Sequence, residues 1–262
     1  MLAVGAVATP ALVAAGLGGP DAAAGVTVLD RTSAAAGSAA SDPAAGDPEA
    51  TGAAGDEAAA VPVAGEAADG PDDGRPPPVA RVGALTLRLP SAEPVVVGFH
   101  EASTAGALEL VPVGVNVANH NTTRFTAPPD DPTGARYIVM ASRGRVFPPT
   151  SALDVVLRDD DPVLSPVSGT ISDVRSYYLY GQHLDHRVEI TPDDAADLRV
   201  VVVHLDAVRV QVGDRVDEGT TRLAGSAMRF PFSSQIDRET EPDRWPHVHI
   251  EVKHEDTPRP GE

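Results

Sequence analysis

Histidines alternate with branched apolar residues in Trp245-Pro246-His247-Val248-His249-Ile250-Glu251-Val252, close to the end of the chain. In an extended strand successive side chains point to opposite faces. His247, His249 and Glu251 therefore share one face, and Val248, Ile250 and Val252 the other. One face can pack while the other does chemistry. Two imidazoles at this spacing lie roughly 6 to 7 Å apart, so one can hold a metal while its neighbour works on a substrate or orients a ligand. The plain alternative is a sheet face with two solvated histidines, and residues elsewhere decide between the two. Asp154 in Leu153-Asp154-Val155-Val156, His204 at the end of the apolar run from Leu198, and His100 after Val95-Val96-Val97-Gly98-Phe99 are the candidates. Each has a structural reading beside the chemical one. Asp154 fits the outward position of an alternating segment, His204 a satisfied interior histidine, and Glu251 either a surface carboxylate or a hydrogen-bond partner that orients His249.

Composition narrows the chemistry. The formal charge of −18 argues against nucleic acid and anionic lipid surfaces as partners, because both reward basic patches. The chain has no cysteine, which removes disulfides, thiolate metal sites and cysteine nucleophiles. A transition metal would have to use histidine and carboxylate. Lys253 is the sole lysine.

Residues 1–24 form an Ala-rich apolar run with small residues where a cleavage site would fall, and read as an atypical export signal without a basic start. Residues 25–79 are rich in Ala, Gly, Pro, Asp and Glu and poor in large apolar side chains. They cannot bury enough surface to offset their ordering entropy, so they read as a disordered acidic tether. From residue 80 the texture turns to branched segments with turn residues between them, and no helical periodicity longer than two turns follows. The expectation is an all-β fold, with an accessory β segment over 80–141, a β domain over 142–254 and a tail over 255–262. Gly213-Asp214 reads as a hairpin turn, and His183 and His186 fall in what reads as a polar turn. His120, in a loop of Asn and Thr, reads as solvent-exposed.

The order of four segments carries a resemblance. Leu164-Ser165-Pro166-Val167-Ser168-Gly169-Thr170-Ile171, Val202-Val203-His204-Leu205, Val210-Gln211-Val212-Gly213-Asp214-Arg215-Val216-Asp217-Glu218-Gly219 and Pro246-His247-Val248-His249-Ile250-Glu251-Val252 are similar, in sequence order, to the motifs of the LytM-like or M23-type peptidoglycan metalloendopeptidases. The turn and hairpin motifs also occur in biotinyl and lipoyl carrier domains. A carrier needs a lysine on its hairpin, and the sole lysine lies beyond the last motif. The resemblance implies an antiparallel, barrel-sandwich-like β groove that hydrolyses peptide cross-links of bacterial cell wall with one Zn²⁺. It implies Asp154 and His249 as metal ligands, and His204 and His247 as the catalytic histidines beside a zinc-activated water. A cell-wall protein of this kind would be exported, with peptidoglycan or a partner hydrolase as its target.

One position departs from the pattern. Four residues before Asp154, where the family has a histidine ligand, stands Thr150, whose neutral hydroxyl is a poor zinc ligand. Three readings follow. A degenerate domain would bind wall peptides or activate a partner hydrolase without metal; a zinc endopeptidase with an altered ligand set would recruit another histidine, with His100 the best placed; or the register at Thr150 is wrong. A structural interaction domain with incidental histidines stands outside these. Arg143 and Arg145 are expected to meet wall carboxylates or the acidic tether.

Overall fold

The computed structural model describes residues 73–240 and 245–259, and the expected export signal and most of the expected tether lie outside them. The described chain is all β. Its strands are β1 (Pro78–Val82), β2 (Leu85–Arg88), β3 (Val96–His100), β4 (Val111–Pro112), β5 (Gly114–Asn119), β6 (Ala135–Val139), β7 (Ala152–Val156) and β8 (Val163–Leu164). They continue as β9 (Gly169–Leu179), β10 (His183–Pro192), β11 (Leu198–Val203), β12 (Leu205–Val208), β13 (Arg215–Val216), β14 (Arg222–Ala227) and β15 (His247–His254). A short 3₁₀ helix, Ile236–Glu239, precedes β15.

Nine strands form one sheet in the order β13-β9-β10-β11-β15-β7-β3-β6-β5, and two three-stranded sheets, β2-β1-β4 and β12-β14-β8, complete the fold. The expected boundary at residues 141 and 142 is therefore not a break. β3, from the supposed accessory segment, pairs antiparallel with β7, and one apolar core runs from Val79 to Val252. The tether is also shorter than expected, since Pro78 and Val79 belong to β1 and Val79 is fully buried. The sheet is mixed rather than purely antiparallel, because β6 runs parallel to both β3 and β5.

The alternating segments pair in a register that gives the large sheet two unlike faces. His249 lies opposite Asp154 on one side and Val203 on the other, and Asp154 lies opposite Gly98. Period-two alternation then puts Val97, Phe99, Leu153, Val155, Val248, Ile250, Val200 and Val202 on the face that builds the main core. The other face carries the polar row of His247, His249, Glu251 and Lys253. β15 is paired along both edges, so these side chains are held on a central strand.

Two turn readings and one strand reading change. Residues 183–192 form β10, the return arm of a long hairpin from β9, so His183 and His186 lie on a strand. Gly213 adopts a positive φ of 92° as a turn residue does, but β13 pairs with β9 rather than closing a hairpin on its predecessor. The Leu198–Leu205 segment breaks at His204, which takes a left-handed φ of 67° where the chain passes from the large sheet into β12. Residues 255–259 are tied back to the sheet: Arg199 donates to the Thr257 carbonyl at 2.6 Å, and Arg259 pairs with Glu189 at 2.8 Å.

Candidate metal centre

Asp154 stands at the middle of the polar face. On the neighbouring strand β3 its opposite residue is Gly98, and His100 lies one pair further along on the same face. Such a diagonal neighbour is within reach of a long side chain, and the missing side chain at Gly98 leaves space that Ile236 and Met140 fill from above. His100 Nε2 reaches 3.1 Å from Asp154 Oδ1. From the other side, His249 Nδ1 reaches 2.8 Å from the same oxygen. One ligand atom from each of these three residues lies within 4.8 Å of the others.

The arrangement around these atoms fits a bound cation. His100 Nδ1 lies 2.9 Å from the Glu101 carbonyl and 3.0 Å from Arg143 Nη2, which hold the ring from behind. Its Nε2 is buried without a hydrogen-bond partner and faces the site. His249 Nε2 lies 3.1 Å from Glu251 Oε1, so its proton is held there and Nδ1 faces Asp154. A carbonyl or carboxylate behind each ligand imidazole is the arrangement that metal sites use to set tautomer and basicity. Glu251 is itself held by Lys253 Nζ at 3.1 Å and by the Thr104 hydroxyl.

The charges point the same way. Burial alone would raise the Asp154 carboxyl, but the His100 and His249 rings outweigh it and hold it well below the usual carboxylate range. Burial would lower His249, yet its hydrogen bonds and charge contacts with Asp154 and Glu251 push it up to about 9. Glu251, which burial would raise, is pulled down to about 2 by His249, Lys253 and Thr104. Two buried carboxylates thus hold a positive charge between them, in the place where a divalent cation would sit with neutral imidazoles around it.

His204 and His247 line the same site. Their ring centroids are 5.3 Å apart, and His204 lies 5.8 Å from His249. His204 Nδ1 lies 2.7 Å from Asp185 Oδ2. Asp185 is fully buried, accepts the Tyr177 hydroxyl and receives the backbone N–H of His186 at 2.7 Å. Burial would raise Asp185, but His204, Tyr177 and that N–H keep it lowered. Phe230 packs edge-on against the His204 ring at 4.8 Å. His247 is driven down to about 4, above all by burial, so at neutral pH it is an uncharged imidazole.

The residues singled out in the sequence thus divide. His100, Asp154, His204, His247, His249 and Glu251 converge. Thr150 is fully buried with no hydrogen-bond partner for its hydroxyl and is not in the ligand group, whose third member comes from β3. His120 is exposed, with Glu239 at 3.8 Å as its partner. Arg143 and Arg145 do not meet the described part of the tether. Their backbone N–H groups both bind the Glu101 carboxylate at 3.0 Å, which closes residues 142–145 over the end of β3. Asp185 and Tyr177 were missed. The alternation of His183, Asp185 and Arg187 was the available signal, hidden because the segment reads as a turn.

No protein-family model matches the chain, and no curated protein does. Among solved structures it is similar to lysostaphin, at 21% identity and a TM-score of 0.31 over 41% of this chain, and it spans 38% of that protein's length. A prophage-encoded M23 protein of Enterococcus faecalis, EnpA, is 18% identical with a TM-score of 0.30, over 42% of this chain and 71% of that one. A zinc-containing peptidase from Vibrio cholerae is 23% identical with a TM-score of 0.29, over 43% of this chain and 29% of that one. Identities and scores this low assign no role to a residue, so the site stands on its own geometry. Among the described residues no helix is long and apolar enough to cross a membrane.

Proposed function

We propose that this chain is a metal-dependent peptide hydrolase whose ligands are His100, Asp154 and His249. The observation that carries the reading is their convergence, with His100 supplying from β3 the ligand that Thr150 cannot. Two histidines and one carboxylate, with no fourth protein ligand among the described residues, are the donor set of a catalytic zinc site. Zn²⁺ bound there would supply Lewis acidity, lowering the pKa of a water and polarising a carbonyl. The metal-free reading, as a binding or activating domain, rested on the missing ligand, and His100 removes that reason.

The remaining residues have defined tasks. Asp185 accepts the Nδ1 proton of His204 and fixes the tautomer, leaving Nε2 as the base that takes a proton from the attacking water and passes it to the leaving amine. Tyr177 holds Asp185 so that the pair keeps its orientation. His247, neutral and buried, donates a hydrogen bond toward the oxygen that gains charge as the carbonyl is attacked. Phe230, against both rings, keeps water from competing for them.

The motif resemblance supplies the substrate class: peptide cross-links of the bacterial cell wall, which would place the protein outside the cytoplasm. The test is to load the purified chain with zinc, incubate it with peptidoglycan and measure new amine termini. Amine release should require one zinc per chain and stop on chelation. A chain that holds one zinc yet releases no amine from peptidoglycan or from cross-link peptides would refute the assignment.

A further inference from the structure

The polar row on β15 does not end at the ligand His249. It runs on through Glu251 to Lys253, the sole lysine of the chain, which is 3% exposed. An ammonium buried so deeply is costly unless its donors are matched, and here each one is. Lys253 Nζ lies 2.6 Å from Thr104 Oγ1, 3.0 Å from the Ala105 carbonyl and 3.1 Å from Glu251 Oε2. Three donors meet three acceptors from two separate stretches of chain, an arrangement that suits a compact ammonium rather than the planar fork of an arginine.

Both stretches lead to a metal ligand. On β15, Lys253 and the Thr104 hydroxyl together occupy Glu251 Oε2, and Glu251 turns its other oxygen to His249 Nε2 at 3.1 Å. Thr104 and Ala105 belong to the chain that leaves β3 at His100. In the sheet β3 and β15 are separated by β7, and this chain spans the gap: Ala107 bridges to Lys253, and the Leu108 N–H binds the Val252 carbonyl at 2.9 Å. A lysine that only closed this crossing could do so on backbone carbonyls. The contact with Glu251 ties the crossing to a carboxylate whose other oxygen orients a ligand.

We propose that Lys253 is a positioning residue for the metal centre. Its ammonium aims the Glu251 carboxylate, which holds the His249 ring with Nδ1 toward Asp154, and it anchors Thr104 and Ala105 just after His100. One side chain thereby braces two histidine ligands whose strands do not pair with each other. This role rests on the metal-centre reading and not on the hydrolytic reaction.

The test measures the zinc affinity of the full chain by chelator competition, and the visible spectrum of the cobalt-loaded protein, which reports ligand geometry. Lys253→Met keeps most of the side-chain length without the charge. It should weaken zinc binding about tenfold or more, the usual loss for a partner behind a ligand, and alter the cobalt bands at saturating metal. Glu251→Gln should do the same, and the double variant should bind no more weakly than the weaker single one, because both act through one contact. Thr104→Val, at a half-buried position, removes the shared hydroxyl and should move affinity and bands in the same direction; it decides the matter if Lys253→Met does not fold. Arg259→Gln is the control. It breaks the pair with Glu189 at 2.8 Å, should lower stability, and should leave zinc affinity and cobalt bands as in the parent. Lys253 and Thr104 variants that are less stable yet keep parental affinity and bands, or losses that add in the double variant, overturn the proposal and leave Lys253 a staple of the fold. A parent that takes up no zinc overturns the metal centre and this role with it. Peptidoglycan left intact by the zinc-loaded parent, with zinc binding still weakened in Lys253→Met, counts against the hydrolase reading alone.

Discussion

Replacing His100 by alanine tests the metal centre most directly, because the residue comes from β3, outside the four motif segments. The substitution leaves Asp154 and His249 as the only protein ligands. Four-ligand structural zinc sites bind with apparent energies of about 10–16 kcal/mol, so one ligand is worth about 3 kcal/mol. At about 1.4 kcal/mol per factor of ten, zinc affinity should fall about a hundredfold. The fold should survive. Asp154 loses the His100 ring at 3.1 Å but keeps His249 at 2.8 Å. Thr150→Ala is the control, since its hydroxyl has no hydrogen-bond partner, and it should leave zinc affinity within about a factor of two, well inside 1.4 kcal/mol. The assay is competition against a zinc-sensitive chelator, with circular dichroism to confirm folding. A His100→Ala protein that binds zinc within about threefold of the parent, or a Thr150→Ala protein that loses as much, would show that the ligand set is wrong.

Asp185→Asn should lower turnover by about 10²–10⁴, the usual scale of a positioned base, with zinc affinity unchanged; equal activity would remove His204 as the base. Glu101 is buried, and burial would raise it, but the Ser142 hydroxyl, the backbone N–H groups of Arg145 and Arg143, and the Arg124 charge together hold it below its ordinary 4.5. The sign follows: this carboxylate stabilises the fold above about pH 4.5 and the contribution fades as pH falls below it. Glu101→Gln should cost about 3 kcal/mol at neutral pH and flatten the acid limb of the stability curve, and an unchanged limb in denaturant titrations would contradict the clasp. Gly98→Ala brings a Cβ to 2.5 Å from Ile236 Cδ1 and 3.3 Å from Met140 Cε. Those are movable side-chain ends, so the cost should be about 1–3 kcal/mol, with faster amide exchange over residues 233–238 and a shift in the fluorescence of nearby Trp245. Unaltered exchange would show that Gly98 does not seat that loop.

Local pattern determined a good deal. Alternation of polar and branched residues placed His247, His249 and Glu251 on one strand face and Val248, Ile250 and Val252 on the other, because side-chain direction in a strand follows from chain position alone. The same logic identified the strands around Asp154 and His100, and the contact between Glu251 and His249 is the one that the spacing allowed. The all-β character likewise followed from composition and turn residues.

Pairing between distant strands decided the rest. Whether Thr150 left a gap depended on which residue lay across from Asp154, and that is fixed by the register of β3 against β7, some fifty residues apart, which no local signal encodes. The role of Asp185 was hidden for the same reason: it faces His204 only because β10 and β11 pair. The boundary drawn at residue 142 failed because a change of texture along the chain says nothing about hydrogen bonds across it. Spacing fixes which face a side chain takes, and register alone fixes which other side chains it meets there.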